Sequence, residues 1–138
     1  MTLSMGLAAF SLGALVTGLP AAQSPEDLAE KSALAWLAVV DAGNYEESWR
    51  EAASFFRGAV SQEDWKKAMV GARQPLGKLL SRKVKSRTYA ESLPGAPDGK
   101  YVVLEFDASF ENKKTAVETV TPMQEPDGTF RVSGYFIK

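Results

Sequence analysis

At 138 residues the chain is long enough to bury one hydrophobic core and too short for two. It contains no histidine and no cysteine, which excludes an imidazole base, a thiolate nucleophile, disulfides and nearly all zinc, copper, haem and iron–sulfur ligation. A formal net charge of −1 and an apolar fraction of 45% exclude bulk attraction to nucleic acid or an anionic membrane, and exclude compositional disorder.

Residues Met1 to Gln23 carry no charged side chain, and Leu3 to Val16 is largely apolar. Gly18, Pro20, Ala21 and Ala22 then supply a breaker and small residues. Residues 1–23 read as a secretory signal peptide, or as an uncleaved N-terminal anchor if no cut is made. Either reading places the folded part, 24–138 as a single domain, in the periplasm or outside the cell. A membrane contact is expected only if the segment stays uncleaved.

Ser24-Pro25-Glu26-Asp27 is a helix start: a hydroxyl cap, proline in the first turn, then acids that suit the helix dipole. Leu28, Ser32, Ala35, Trp36, Val39 and Val40 make one face of that helix, and Gly43 ends it. Asn44 opens a second, shorter helix through Tyr45, Ser48 and Trp49, followed by Phe55 and Phe56. Ser61-Gln62-Glu63-Asp64 starts a third, with Trp65, Ala68, Met69 and Ala72 on its buried side, and Pro75 and Gly77 stop it.

After Gly77 the apolar period changes from that of a helix to that of a strand. Strands are predicted over Leu79–Leu93, Tyr101–Phe110, Thr115–Glu125 and Thr129–Ile137. Pro94–Gly99, Asn112-Lys113 and Asp127-Gly128 are the turns between them. The fold class is α+β: three N-terminal helices packed on a curved four-stranded antiparallel sheet, a cone-like, cystatin-like shape.

Ala35-Trp36-Leu37-Ala38, Asp41-Ala42-Gly43-Asn44-Tyr45, Trp49, Phe55-Phe56-Arg57 and Arg73-Gln74-Pro75-Leu76-Gly77 form one set of motifs. Ser92–Tyr101, Glu118-Thr119-Val120-Thr121 and Val132-Ser133-Gly134-Tyr135 form another. Together, over Leu28 to Lys138, they resemble a bacterial family catalogued as domain of unknown function 4019. The resemblance implies an exported small bacterial domain with the nuclear-transport-factor-two-like cone. It implies no activity and transfers no catalytic residue.

Charge suggests a strand register. Pairing Arg87 with Glu105 and Lys85 with Asp107 sets opposite charges side by side. With a tight Asn112-Lys113 turn, Arg82, Val84, Ser86, Thr88, Thr119, Thr121, Val132 and Phe136 then face the helices. Glu105, Asp107 and Glu118 face out, so the interior carries no carboxylate. A one-residue bulge would reverse this parity.

The leading expectation is a non-enzymatic ligand-binding or protein-interaction module. Trp36, Trp65, Arg82, Ser86, Thr88, Thr119 and Thr121 are its candidate interior contacts with a small apolar or amphipathic ligand. A protein partner, or a second copy, would use the sheet. The alternative is a cone-fold isomerase, dehydratase or hydrolase with Glu118 or Asp107 as base and Tyr135 as acid. No metal-ligand spacing, phosphate loop or serine-nucleophile motif occurs, so no cofactor and no metal are expected.

Overall fold

The computed structural model describes residues 23–138; the expected signal segment, apart from Gln23, lies outside them. Helix α1 spans Pro25–Asp41, α2 Tyr45–Arg50, α3 Ser54–Ala59 and α4 Gln62–Ala72, followed by a 3₁₀ turn at Gln74–Leu76. Strands β1 (Leu79–Ala90), β2 (Tyr101–Phe110), β3 (Lys113–Gln124) and β4 (Phe130–Ile137) follow. They form one antiparallel sheet in the order β1-β2-β3-β4, with the helices packed on one face.

The α+β class is as expected. The helical half holds one more short element, because Phe55 and Phe56 sit in their own helix, α3. The Ala53 amide, just ahead of it, donates to the Val132 carbonyl of β4 at 2.8 Å, which restarts the chain against the sheet edge. Both predicted caps are present: Ser24 Oγ accepts from the Asp27 amide and Ser61 Oγ from the Asp64 amide, each at 3.1 Å. Helix α1 buries Ala29, Ala33, Trp36, Leu37 and Val40 and leaves Leu28 exposed. Two alanines on that stripe let the helix axis approach the sheet closely.

The core joins Trp36, Leu37, Trp65 and Met69 of the helices to Val102, Leu104, Phe106, Val120 and Val132 of the strands. Ser48, fully buried, is its polar hub. The Trp65 indole N–H donates to Ser48 Oγ at 2.9 Å, and the Trp36 indole N–H to the Ser48 carbonyl at 2.7 Å. Ser48 Oγ in turn donates to the Tyr45 carbonyl. Ser48→Ala orphans the Trp65 indole and should lower stability by about 1–3 kcal/mol, read as a lower urea midpoint at unchanged m value.

The register differs from the charge-based expectation. Lys83 pairs with Asp107 and Val84 with Phe106, then a bulge at Lys85 resets the ladder so that Ser86 pairs with Glu105 and Arg87 with Leu104. Arg82, Val84, Arg87 and Tyr89 therefore face the helices, whereas Ser86 and Thr88 face out. The next turn falls at Glu111-Asn112, one residue earlier than predicted, and β3 carries an extra residue just beyond it. Phe106 consequently pairs with Glu118 and Leu104 with Val120, which turns Thr119 and Thr121 outward and Glu118 inward.

A third shift lies between β3 and β4, where Val120 pairs with Tyr135 but Pro122 with Val132. Pro122 has no N–H to give the ladder, and the extra residue on β4 falls just before its pairing, opposite Thr121. The Ser133 hydroxyl donates to the Thr121 carbonyl there at 2.7 Å. Tyr135 thus points inward, and Phe136 stands on the outer face with 52% of its surface exposed.

Candidate functional site

These parity changes overturn the expected carboxylate-free interior. Glu118 is fully buried, and a cluster of ionised groups is built around it. Asp41 enters from the last position of α1. There Gly43, at φ +79°, closes the helix with the Asn44 amide bonded to the Val39 carbonyl and its own to Val40. A carboxylate at a helix C-terminus opposes the helix dipole. Two guanidinium groups offset this: Asp41 accepts from Arg82 at 2.8 and 3.0 Å and from Arg73 at 3.2 Å.

Arg73 follows α4 and folds back over its own loop. It donates to the Gly77 carbonyl at 2.8 Å and lies 4.4 Å above the Phe110 ring; its buried Nε has no hydrogen-bond partner. The Gln74–Gly77 loop is seated on the β2–β3 turn. The Asn112 amide donates to the Leu76 carbonyl at 2.9 Å, and its side chain to the Pro75 carbonyl at 3.0 Å. Gly77 has φ +74°, and a Cβ on it would meet Asn112 and Glu111 at 3.1 Å, so both conformation and space require glycine.

Arg82 spans the two acids. Its Nε donates to Glu118 Oε1 at 2.6 Å and its Nη2 to Glu118 Oε2 at 3.0 Å, while the far edge of the guanidinium holds Asp41. Burial opposes its charge, but the hydrogen bonds to Asp41 and Glu118 outweigh it and hold its pKa above the ordinary value. The Tyr135 hydroxyl donates a very short hydrogen bond to Glu118 Oε2, and its ring meets Trp36 edge-on at 5.3 Å. Two cations, two anions and a phenol thus tie the ends of α1 and α4 to β1, β3 and β4.

Chemically the Glu118 end of the cluster is committed to internal partners. Both Glu118 oxygens are occupied, and the Tyr135 proton is committed to one of them. Burial, then the Glu118 charge, pushes the Tyr135 pKa well above its ordinary 10.0. Surface hollows occur, but they stop short of Glu118 and Tyr135. One of ≈ 500 Å³ surrounds the start of α2, and one of ≈ 370 Å³ between α1, α2 and β4 is lined in part by Trp36. A third, ≈ 300 Å³, lies along β1–β3 beside Arg82. None of these reaches Glu118 or Tyr135.

Tyr135 also yields a pH prediction. Its folded pKa is raised, so its contribution to stability is present below the ordinary value of 10.0 and is lost as pH rises toward the folded one. Between about pH 9.5 and 11 the urea midpoint of the parent should therefore fall more steeply than that of Tyr135→Phe.

The sequence-predicted residues separate into three groups. Glu118 and Tyr135 do pair, but on the inner face, and Arg82 joins them. Trp36 and Trp65 are core, 4% and 5% exposed. Ser86, Thr88, Thr119 and Thr121 are on the outer face rather than inside, and Asp107 is out there too, opposite Lys83 and away from Tyr135. Asp41 and Arg73 were missed as cluster members. The available signal was in the motifs themselves, since Asp41 ends one and Arg73 begins another.

All five cluster residues fall within one matched family span. A search of curated proteins finds none that matches the chain. The sequence profile of the family described as protein of unknown function (DUF4019) matches residues 32–135, and the chain belongs to that family.

Proposed function

We propose that the chain is an exported, non-catalytic protein-interaction module that works through its surface, with the buried cluster as an internal clasp. The observation that carries this reading is Glu118: its acceptors are filled by Arg82 and Tyr135 inside a packed interior. A reaction centre needs an acid or base within reach of a substrate, and these groups spend their hydrogen bonds on one another. The same packing, with Trp36, Leu104 and Phe106 at most 4% exposed, keeps solvent from the inner face of the sheet around Glu118. The uncharged, apolar residues 1–23 support export to the periplasm or beyond.

Photo-crosslinking in the producing bacterium tests the reading. A benzophenone side chain would replace Ser86 or Thr88 on β1, Val117 or Phe136 on the outer sheet face, and Lys67 on α4. Adducts of fixed size from neighbouring positions on one face are expected. No adduct from any position, or a small molecule retained by the purified protein in native mass spectrometry, would overturn it.

A further inference from the structure

We infer that the free edge of β1 is a docking edge for an extended, acidic segment of a partner protein, which adds to the sheet as a fifth strand. This rests on the interaction-module reading and names its site and partner class.

The two sheet edges are treated differently. Along β4 the Ser32 hydroxyl donates to the Phe130 carbonyl at 2.6 Å and the Ala53 amide to the Val132 carbonyl at 2.8 Å, so the helical half covers the first part of that edge. Along β1, among the described residues, no backbone group from Leu79 to Ala90 bonds to anything but β2. An unpaired strand edge is a template for another strand.

Charge selects which strand. Arg82 and Arg87 are already taken by acids on the inner side: Arg82 by Asp41 and Glu118, Arg87 by Asp27 at 2.7 Å. Lys83 and Lys85 have no carboxylate partner among the described residues, although Asp107 lies opposite Lys83 in the ladder. Antiparallel pairing of β1 with a second copy would set these lysine runs against each other, which destabilises the pair. An acidic strand meets them favourably.

Shape adds an alternation. On α1, Leu34 lies on the stripe between Glu30 and Asp41, the side that reaches Arg87 and Arg82, and it is 42% exposed. Val84 faces the same side from β1 and is 37% exposed. Together they form an apolar ledge below the open edge. A segment alternating apolar and acidic residues would put its apolar side chains on this ledge and its acids toward Lys83 on the outer face. The bulge at Lys85 divides the edge into two regular stretches, Ser81–Val84 and Ser86–Ala90; the first carries Lys83 and Val84, so a short segment of about four or five residues suffices.

The test titrates the ¹⁵N-labelled, purified protein with a synthetic peptide of alternating valine and glutamate, and with its valine–lysine counterpart. Amide shifts along residues 79–90 with the acidic peptide alone are expected, weakening with added salt. Lys83→Glu with Lys85→Glu should weaken binding about tenfold or more, and an unchanged urea midpoint would confirm the fold of that variant. Equal binding of the lysine peptide, shifts confined to other strands, or no shift at millimolar peptide would overturn the inference. Crosslinks from Val117 or Phe136 but none from Ser86 or Thr88 would sink the β1 edge while leaving the interaction module standing.

Discussion

Glu118→Ala should cost about 3–5 kcal/mol of folding free energy, because it breaks a buried ion pair and leaves its partners uncompensated. The substitution strands one edge of the Arg82 guanidinium and the Tyr135 hydroxyl at a position with no solvent access. Against the roughly 5–15 kcal/mol that holds an ordinary domain folded, this is enough to populate the unfolded chain at moderate urea or on mild warming. Glu118→Gln keeps the shape and an acceptor for Tyr135, so its loss should be smaller. Tyr135→Phe removes one hydrogen bond to a charged acceptor and should cost about 1–3 kcal/mol. Since both substitutions act on one bond, the double variant should lose less than the sum of the two. Urea midpoints for the parent, Glu118→Ala, Tyr135→Phe and the double variant of these two check this; additive losses would show that the two side chains are uncoupled.

Arg82→Ala should be comparably damaging, at about 3–5 kcal/mol, for the opposite reason. Asp41 keeps Arg73 at 3.2 Å, but Glu118 keeps only Tyr135 and must hold its charge without a counter-ion. Arg82→Lys should recover little of the loss. An ammonium is a compact point charge, and here one planar fork serves two carboxylates along two edges. A lysine variant with the parent's midpoint would mean that charge alone, and not the fork geometry, stabilises the site.

Local signals in the sequence carried much of the fold. Ser24, Ser61 and Gly43 are read correctly as caps because each acts within one helical turn of itself. The alternating row Val102, Leu104, Phe106, Ala108 and Phe110 is buried as its period demands. What failed was parity between strands, which depends on single-residue shifts. Cross-strand charge between β1 and β2 was the wrong guide, since Arg87 spends its charge on Asp27 of α1 and Arg82 divides its own between Asp41 and Glu118.

Better signals were present. Val84 and Tyr89 are apolar but an odd number of residues apart, so turning both toward the helices requires a bulge between them. Val132 and Tyr135 show the same mismatch, and Pro122 sits in a strand with neighbours on both sides, where it cannot complete the ladder. The meeting of Asp41 and Arg73 with Arg82 was less legible, because it depends on how α1 and α4 lie on the sheet.

The central claim is that the buried cluster is a clasp and the surface does the work. The most direct measurement is on the variant Arg82→Met, Glu118→Met, Tyr135→Phe, which replaces the cluster by apolar groups of similar size and leaves the Asp41–Arg73 pair in place. Apolar replacement of a whole buried ion pair is often neutral or stabilising, so the variant should unfold cooperatively near the parent's urea midpoint and give the same crosslinked adducts in the cell. A variant that folds at that midpoint but yields no adducts would contradict the account and place the cluster in the function itself.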